Sequence, residues 1–161
     1  MKKYILFVFI TFCLNIYCQD KYEPQFLFEW GHGGNGMYTQ SIGVYGHTNM
    51  VKDILYLDFG GKTIIPIKHA KNNITTQVLA GIQIKTFNIK EMPIFIGIRG
   101  GYGWMCGKSK NIKGASIDTF VRIKLVKNLS FGYSYNYQNL GNNISFINHI
   151  NTHEGKLIYQ L

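Results

Sequence analysis

The chain has 161 residues, a formal net charge of +9 and 15% aromatic residues. This length suits one domain, and the lack of any run of about 18 apolar residues beyond the leader excludes a transmembrane helix. Only one of the three cysteines, Cys106, lies beyond residue 18, which excludes an intrachain disulfide scaffold. Eleven Tyr, 11 Phe and 18 Gly with only 3 Pro favour an all-β barrel.

Residues 1–18 have the pattern of a secretory signal peptide. Two lysines precede an apolar run that reaches Cys13 and is too short for a membrane-spanning helix. Cleavage after Cys18 predicts a mature barrel domain over residues 19–161. Acylation of Cys18, as in a lipoprotein, is the alternative, but the preceding Tyr17 is bulky where lipoprotein signals have a small residue.

The clearest pattern in the chain lies between Ser116 and Gln138. Apolar and polar residues alternate on both sides of a short connection at residues 126–128. Because successive side chains of a strand point to opposite faces, this alternation predicts a hairpin with one apolar and one polar face. The apolar positions are Ile117, Thr119, Val121, Ile123 and Leu125, then Leu129, Phe131, Tyr133, Tyr135 and Tyr137.

The same alternation recurs, so that the sequence predicts eight strands. All but the first, which has six residues, cover about nine to eleven residues, the length that a tilted strand needs to cross a bilayer. We therefore predict a closed eight-stranded antiparallel up-and-down transmembrane β-barrel in which the first and last strands pair. The predicted strands are 26–31, 37–46, 55–65, 77–85, 94–104, 116–125, 129–138 and 152–161.

An even number of strands places both chain ends on one side, the periplasm for an exported protein. Short inner turns are then expected at 46–53, 88–92 and 126–128, and longer loops on the outer side. These basic outer loops would attract phosphates or acidic glycans, although solvated lysines are the simpler interpretation. Their lysines are Lys68, Lys71, Lys108, Lys110 and Lys113.

Alternation alone does not decide which face is inside. Glycines and a near balance of acids and bases on the polar face favour a narrow interior in which buried charges are paired. Aromatic residues near strand ends on the apolar face favour an interfacial belt: Phe26, Trp30, Tyr102, Trp104, Tyr135, Tyr137 and Tyr159. The predicted interior polar network comprises Glu29, Asp58, Lys85, Arg99, Asp118, Arg122, Glu154 and Lys156. A half-solvated soluble sheet, or a lipocalin-like barrel with an apolar interior, is the alternative.

The leader, the eight alternating strands and their aromatic ends resemble the small eight-stranded outer-membrane barrels of Gram-negative bacteria. The resemblance covers residues 19–161. This sequence departs from the family pattern at its last residue, because such chains commonly end in Phe and this one ends in Leu161. It implies an outer-membrane location, with membrane lipid or lipopolysaccharide as partner and other envelope proteins as further candidates. It implies no nucleic-acid partner and no cofactor.

Residues 136–141 also bear a faint resemblance to the catalytic run of lipid A deacylase barrels. Asn139 and Gly141 match that run, whereas Asn136 and Gln138 occupy the positions of its catalytic His and Ser. Neither amide can act as base or nucleophile, so the activity does not carry over and no catalytic centre is expected.

Four histidines are the other candidates for chemistry at the outer rim, where a metal or acid/base site would need them to converge. They are His32, His69, His149 and His153. Solvated loop histidines are the simpler interpretation, and no metal is expected. Three functions remain open: a non-enzymatic structural or accessory barrel, a lipid-modifying hydrolase, and a soluble periplasmic binding barrel.

Overall fold

The computed structural model describes residues 25–34, 39–67, 74–106, 111–139 and 149–161. Within these ranges no helix is long and apolar enough to cross a membrane. The predicted leader, residues 1–18, lies outside the described residues. The strands are β1 (Gln25–Gly33), β2 (Thr39–Val51), β3 (Leu55–Pro66), β4 (Ile74–Ile89), β5 (Met92–Cys106), β6 (Asn111–Lys124), β7 (Leu129–Asn139) and β8 (His149–Gln160).

The eight strands form one closed barrel in chain order. Each strand pairs antiparallel with its neighbours, and β1 closes the sheet against β8, with Trp30 opposite Leu157. Closure leaves no free edge among the eight described strands, so each strand has a hydrogen-bonded neighbour on both sides. The predicted closed, up-and-down, eight-stranded barrel is confirmed.

One end of the barrel, which we call the turn end, carries the turns at residues 52–54, 90–91 and 125–128 together with both ends of the described chain. Two of these turns contain a residue in the left-handed region, Asp53 (φ 58°) and Lys90 (φ 57°). The opposite end, the loop end, carries connections that lie outside the described residues.

The turn after β2 is shorter than the sequence predicted. Residues 46–51, expected to belong to a connection, continue the strand to Val51. The reason is that His47 points into the barrel and its Nδ1 lies 2.7 Å from an Asp58 carboxylate oxygen, which extends the inward polar pattern. Polar residues in this stretch therefore belong to the lumen face of β2 and do not mark a loop.

The barrel has its polar face inside and its apolar face outside. Arg99 and Asp118 are fully buried, whereas Ile98, which precedes Arg99 on β5, is 49% exposed. This is the reverse of a lipocalin-like barrel and corrects that alternative, because a water-soluble barrel hides its apolar face. Other outward apolar residues are Phe28, Ile42, Val44, Phe59, Val78, Ile82, Ile84, Ile96, Ile117, Val121, Phe131 and Leu157.

Aromatic side chains cluster on the outer surface near the strand ends. Tyr102 and Trp104 pack edge to face near the loop end, with ring centroids 5.7 Å apart. Near the turn end, Phe26 on β1 and Tyr159 on β8 are outward and exposed. Such aromatic rings suit the boundary between hydrocarbon and headgroups.

Two glycines of the β4–β5 region provide a matched test of strand packing. A Cβ at Gly81 would lie 2.0 Å from the carbonyl oxygen of Ile98 and 2.5 Å from Cα of Arg99, whereas a Cβ at Gly100 meets nothing within 4 Å. We expect Gly81→Ala to lower the free energy of unfolding by about 1–3 kcal/mol, because the backbones must separate. Gly100→Ala should leave it unchanged. Urea unfolding of the refolded barrel in lipid vesicles measures the free energy of unfolding of both variants. Equal losses in Gly81→Ala and Gly100→Ala would contradict the close approach of the backbones at Gly81.

Candidate functional site in the barrel interior

The lumen is filled by a charged side-chain network. Alternation along each strand points every second residue inward, which brings distant parts of the chain together across a narrow space. Among the described residues, four carboxylates and four cations are buried there. They are Glu29, Asp58, Asp118 and Glu154, and Lys62, Arg99, Arg122 and Lys156.

Arg99 on β5 is the centre of this network. Its Nη1 lies 2.8 Å from Oε1 of Glu29, and its Nη2 lies 2.8 Å from Oδ2 of Asp58. Nε donates to the same Asp58 oxygen at 2.9 Å, and Oδ2 of Asp118 lies 3.6 Å from Nη1. The planar guanidinium therefore joins carboxylates from three other strands, a geometry that a lysine cannot reproduce.

Two aromatic rings enclose the Arg99 guanidinium. Its Cζ lies 3.7 Å from the ring centroid of Tyr45 and 4.2 Å from that of Phe120. Glycine makes room for each ring, since a Cβ at Gly97 would lie 2.3 Å from Cζ of Phe120 and one at Gly43 would lie 2.8 Å from Cε2 of Tyr45. Stacked rings and paired carboxylates together fix the position of the buried charge.

Two lysines, Lys156 on β8 and Lys62 on β3, also pair with the buried carboxylates. Lys156 Nζ lies 3.0 Å from Glu29 and 3.1 Å from Asp118. Lys62 Nζ lies 2.6 Å from Glu154 and 3.5 Å from Asp118. Asp118 thus bridges Arg99 and both lysines, so the network is continuous and does not consist of isolated pairs.

Neutral polar groups complete the coordination of Asp58. Gln83 Nε2 donates to both of its carboxylate oxygens at 2.7 and 2.8 Å. His47 Nδ1 lies 2.7 Å from Oδ1 and must carry the proton, because a carboxylate only accepts. The His47 ring stacks on Tyr56 with centroids 4.7 Å apart. Donors therefore surround this carboxylate on several sides.

An amide cluster lies nearer the loop end. Gln77 and Asn136 exchange two hydrogen bonds of 2.9 and 3.0 Å, and Gln77 Nε2 also donates to Gln138 at 3.4 Å. The two residues that stand where deacylases have their His and Ser thus point into the lumen and bond to a glutamine. Their position gives them a packing role.

The amide pair supports a double-mutant test. Gln77→Leu leaves the buried Asn136 amide without its partner, so we expect a loss of about 1–3 kcal/mol in the free energy of unfolding. Asn136→Leu should cost a similar amount, whereas the double variant should cost clearly less than the sum. Urea unfolding followed by tryptophan fluorescence gives the three values. Strict additivity would contradict a direct interaction.

The structure does not bring all the residues of the predicted network together. Lys85 is half-exposed at the turn end, where the β4–β5 register shifts after it, and within the described residues no carboxylate lies within ion-pair distance. Arg122 is buried but equally lacks a carboxylate partner among the described residues and packs on Phe95 at 4.4 Å. The ion-paired network therefore contains six of the eight predicted residues, and Lys62 and His47 join it.

Sequence reasoning missed several members of the site. The predicted network omits Lys62, although its alternation with Asp58 on β3 is regular. The sequence places His47 in a predicted turn, and the predicted network includes neither Tyr45 nor Phe120. Inward periodicity could identify all four positions, but it carries no signal that the rings stack on Arg99.

Most of the outer-rim candidates lie outside the described residues, namely His69, Lys68, Lys71, Lys108 and Lys110, and the side chain of His149 is not described either. Lys113 lies on β6 and is exposed. His32 and His153 are outward and exposed on the neighbouring strands β1 and β8. In the described ranges no group of three or more His, Cys, Asp or Glu side chains could hold a metal ion.

No protein-family model matches the chain, and no curated protein matches its sequence. Solved structures do match. Neisserial surface protein A (NspA) is 12% identical with a TM-score of 0.59, over 87% of this chain and 96% of that one. A de novo designed transmembrane β-barrel is 13% identical with a TM-score of 0.56, over 85% of this chain and 95% of that one.

These matches concern the fold, since the identities are low. The chain has the fold of the small eight-stranded transmembrane barrels, and the resemblance to outer-membrane barrels is confirmed at that level. The apolar outer surface and the charged lumen described above are the arrangement that such barrels require.

Proposed function

We propose that this protein is a non-enzymatic barrel of the bacterial outer membrane, acting as a structural protein or as an accessory subunit of a larger envelope complex. The observation that carries the proposal is the filled lumen. Large side chains meet across it in ion pairs and hydrogen bonds around Arg99. Barrels of eight strands have interiors just wide enough for side chains, which argues against an open channel.

The outer surface supports placement in a membrane. Ile98 lies near the middle of β5 and Ile117 near the middle of β6, and both are outward and exposed. Exposed aromatic side chains lie nearer the strand ends, Phe26 and Tyr159 toward the turn end and Tyr102 toward the loop end. An apolar band between aromatic belts matches the hydrocarbon core and its two interfaces. Residues 1–18 are proposed to direct export and to be removed.

The absence of an enzymatic role is part of the proposal. Asn136 and Gln138 lack the proton-transfer and nucleophilic chemistry of the deacylase residues whose positions they occupy. We propose lipid or lipopolysaccharide as the surrounding partner, with the basic outer-loop lysines facing its phosphates.

Cell fractionation tests the location. The full chain, expressed with its own leader in a Gram-negative host, should sediment with the outer membrane on a density gradient and resist extraction by urea. Its unheated form should migrate differently from the boiled form on a denaturing gel. Recovery in the soluble periplasmic fraction would contradict the proposal.

Mass spectrometry of lipid A tests the absence of enzymatic activity. Expression of the protein should leave the acylation pattern of lipid A unchanged. A shift that disappears when one rim residue is changed would instead establish a lipid-modifying hydrolase. Photo-crosslinking from an outward position such as Thr119 then separates the two structural roles, since a discrete protein adduct indicates an accessory subunit.

A further inference from the structure

We propose that the turn end of the lumen holds a binding site for a phosphate-type oxyanion, formed by Arg122, Lys124 and Lys85. The inference goes beyond the structural role proposed above and does not depend on it. It rests on one buried cation that has no carboxylate partner among the described residues, and on two further cations that the barrel places beside it.

Arg122 is the first observation. Its side chain is 1% exposed, yet its Nε and Nη1 make no hydrogen bond within the described parts of the chain. The four buried carboxylates pair instead with Arg99, Lys62, Lys156 and His47. A buried guanidinium with unpaired N–H groups is costly, and the ring of Phe95 at 4.4 Å offers only partial compensation.

The strand register is the second observation. Lys85 on β4 lies opposite Phe95 on β5, which lies opposite Arg122 on β6. Lys124 follows Arg122 by two residues and so shares its inward face. Both lysines are half-exposed, which leaves their ammonium groups within reach of a ligand from the turn end.

Among the described residues, cations outnumber acids at this end, although Asp58 and Glu29 attract Arg122 from beyond ion-pair distance. Arg122, Lys127 and Lys85 all repel the ammonium of Lys124. Two acids occur in the turns, Asp53 and Glu91, and both are exposed. Like charges held this close destabilise one another unless a counter-ion binds between them.

The chemistry of the three cations selects the ligand class. A guanidinium presents N–H donors in a planar fork, and two ammonium groups add point charges, a set that suits the oxygens and the charge of a phosphate. Two sources supply that group: free inorganic phosphate, and the headgroup of an anionic phospholipid at the membrane surface that would surround the turn end. The shared chemistry is the proposal, and the experiment separates the sources.

The test uses the full barrel refolded in a zwitterionic detergent, with inorganic phosphate as the probe. Phosphate should raise the unfolding temperature relative to sodium chloride at equal ionic strength. In K85Q/K124Q the apparent Kd for phosphate should rise at least about tenfold, since each charge-assisted bond contributes that much or more. The matched control is K52Q/K90Q, which removes two exposed lysines from the turns of the same end and should bind normally.

A third variant, Arg122→Gln, adds a readout that a structural role would not produce. It should lose the response to phosphate while keeping or raising the unfolding temperature in phosphate-free buffer, because it removes an unpaired buried charge. If Arg122→Gln does not fold, the comparison of the two double variants decides alone. Equal responses in K85Q/K124Q and K52Q/K90Q, or no difference between phosphate and chloride, would overturn the site.

Lipid nanodiscs identify the source of the phosphate. Barrels in phosphatidylcholine discs are compared with barrels in discs that also contain phosphatidylglycerol. Stabilisation by phosphatidylglycerol that K85Q/K124Q abolishes assigns the site to a lipid headgroup. Stabilisation by inorganic phosphate without any effect of phosphatidylglycerol assigns it to the free anion. Failure of both probes rejects the proposal.

Discussion

Replacing Arg99 by leucine is expected to lower the free energy of unfolding by about 3–5 kcal/mol. The guanidinium pairs with Glu29 and Asp58 and approaches Asp118, so its removal leaves buried negative charge without its main partner. Leucine also cannot stack between the two aromatic rings that enclose the guanidinium. Equilibrium urea unfolding of the barrel refolded in lipid vesicles provides the measurement.

The control for this prediction is Lys113→Leu, which removes a positive charge from the exposed surface of β6 near the loop end. It should change the free energy of unfolding by no more than about 0.5 kcal/mol. The loss of unfolding free energy in Arg99→Lys should lie between those of Arg99→Leu and Lys113→Leu, because lysine keeps the charge but lacks the planar guanidinium. If Arg99→Leu and Lys113→Leu unfold alike, the interior network does not stabilise the barrel.

We expect a second large loss of stability when an arginine is placed on the outer surface of the barrel. Ile98 is outward, 49% exposed and near the middle of β5. In a bilayer, Ile98→Arg should destabilise the barrel by about 2–4 kcal/mol, the cost of an arginine near the midplane of the hydrocarbon. The measurement is the same urea titration in lipid vesicles, together with the yield of folded barrel in the outer membrane of cells.

The matched control is Val126→Arg, the same chemical change in the exposed turn between β6 and β7. Because the cost of arginine falls to about 0–1 kcal/mol near the interface, this variant should fold normally. A water-soluble barrel would tolerate both substitutions. Equal stability of the two variants in vesicles would therefore argue against a bilayer around β5.

The sequence predicted the number of strands and the residues on each face, because an alternation of period two depends only on local geometry. Strand ends were less accurate. Residues 46–51 look like a connection, since His47 and Asn49 are polar and no local signal shows that Asp58 lies opposite His47 on β3. Local sequence also misplaces the start of β8, which begins at His149, before the predicted start at Thr152.

Partners within the lumen could not be predicted from the pattern. Asp118 and Arg122 share one face of β6 four residues apart, which suggests a pair, yet that spacing along a strand is about 13 Å. Asp118 instead meets Lys156 from β8 and Lys62 from β3. Arg122 is left without a carboxylate partner among the described residues, and the proposed anion site rests on this buried guanidinium.

By itself, the sequence determined that the chain alternates apolar and polar residues along eight strands and that the charged residues share one face. Only the tertiary structure decided that this face is the inside and which charges meet there. The physical reason is that alternation specifies a direction for each side chain but not its distance to residues on other strands. Closure of β1 on β8 and the register of each ladder set those distances, and so they placed Arg99 between its carboxylates.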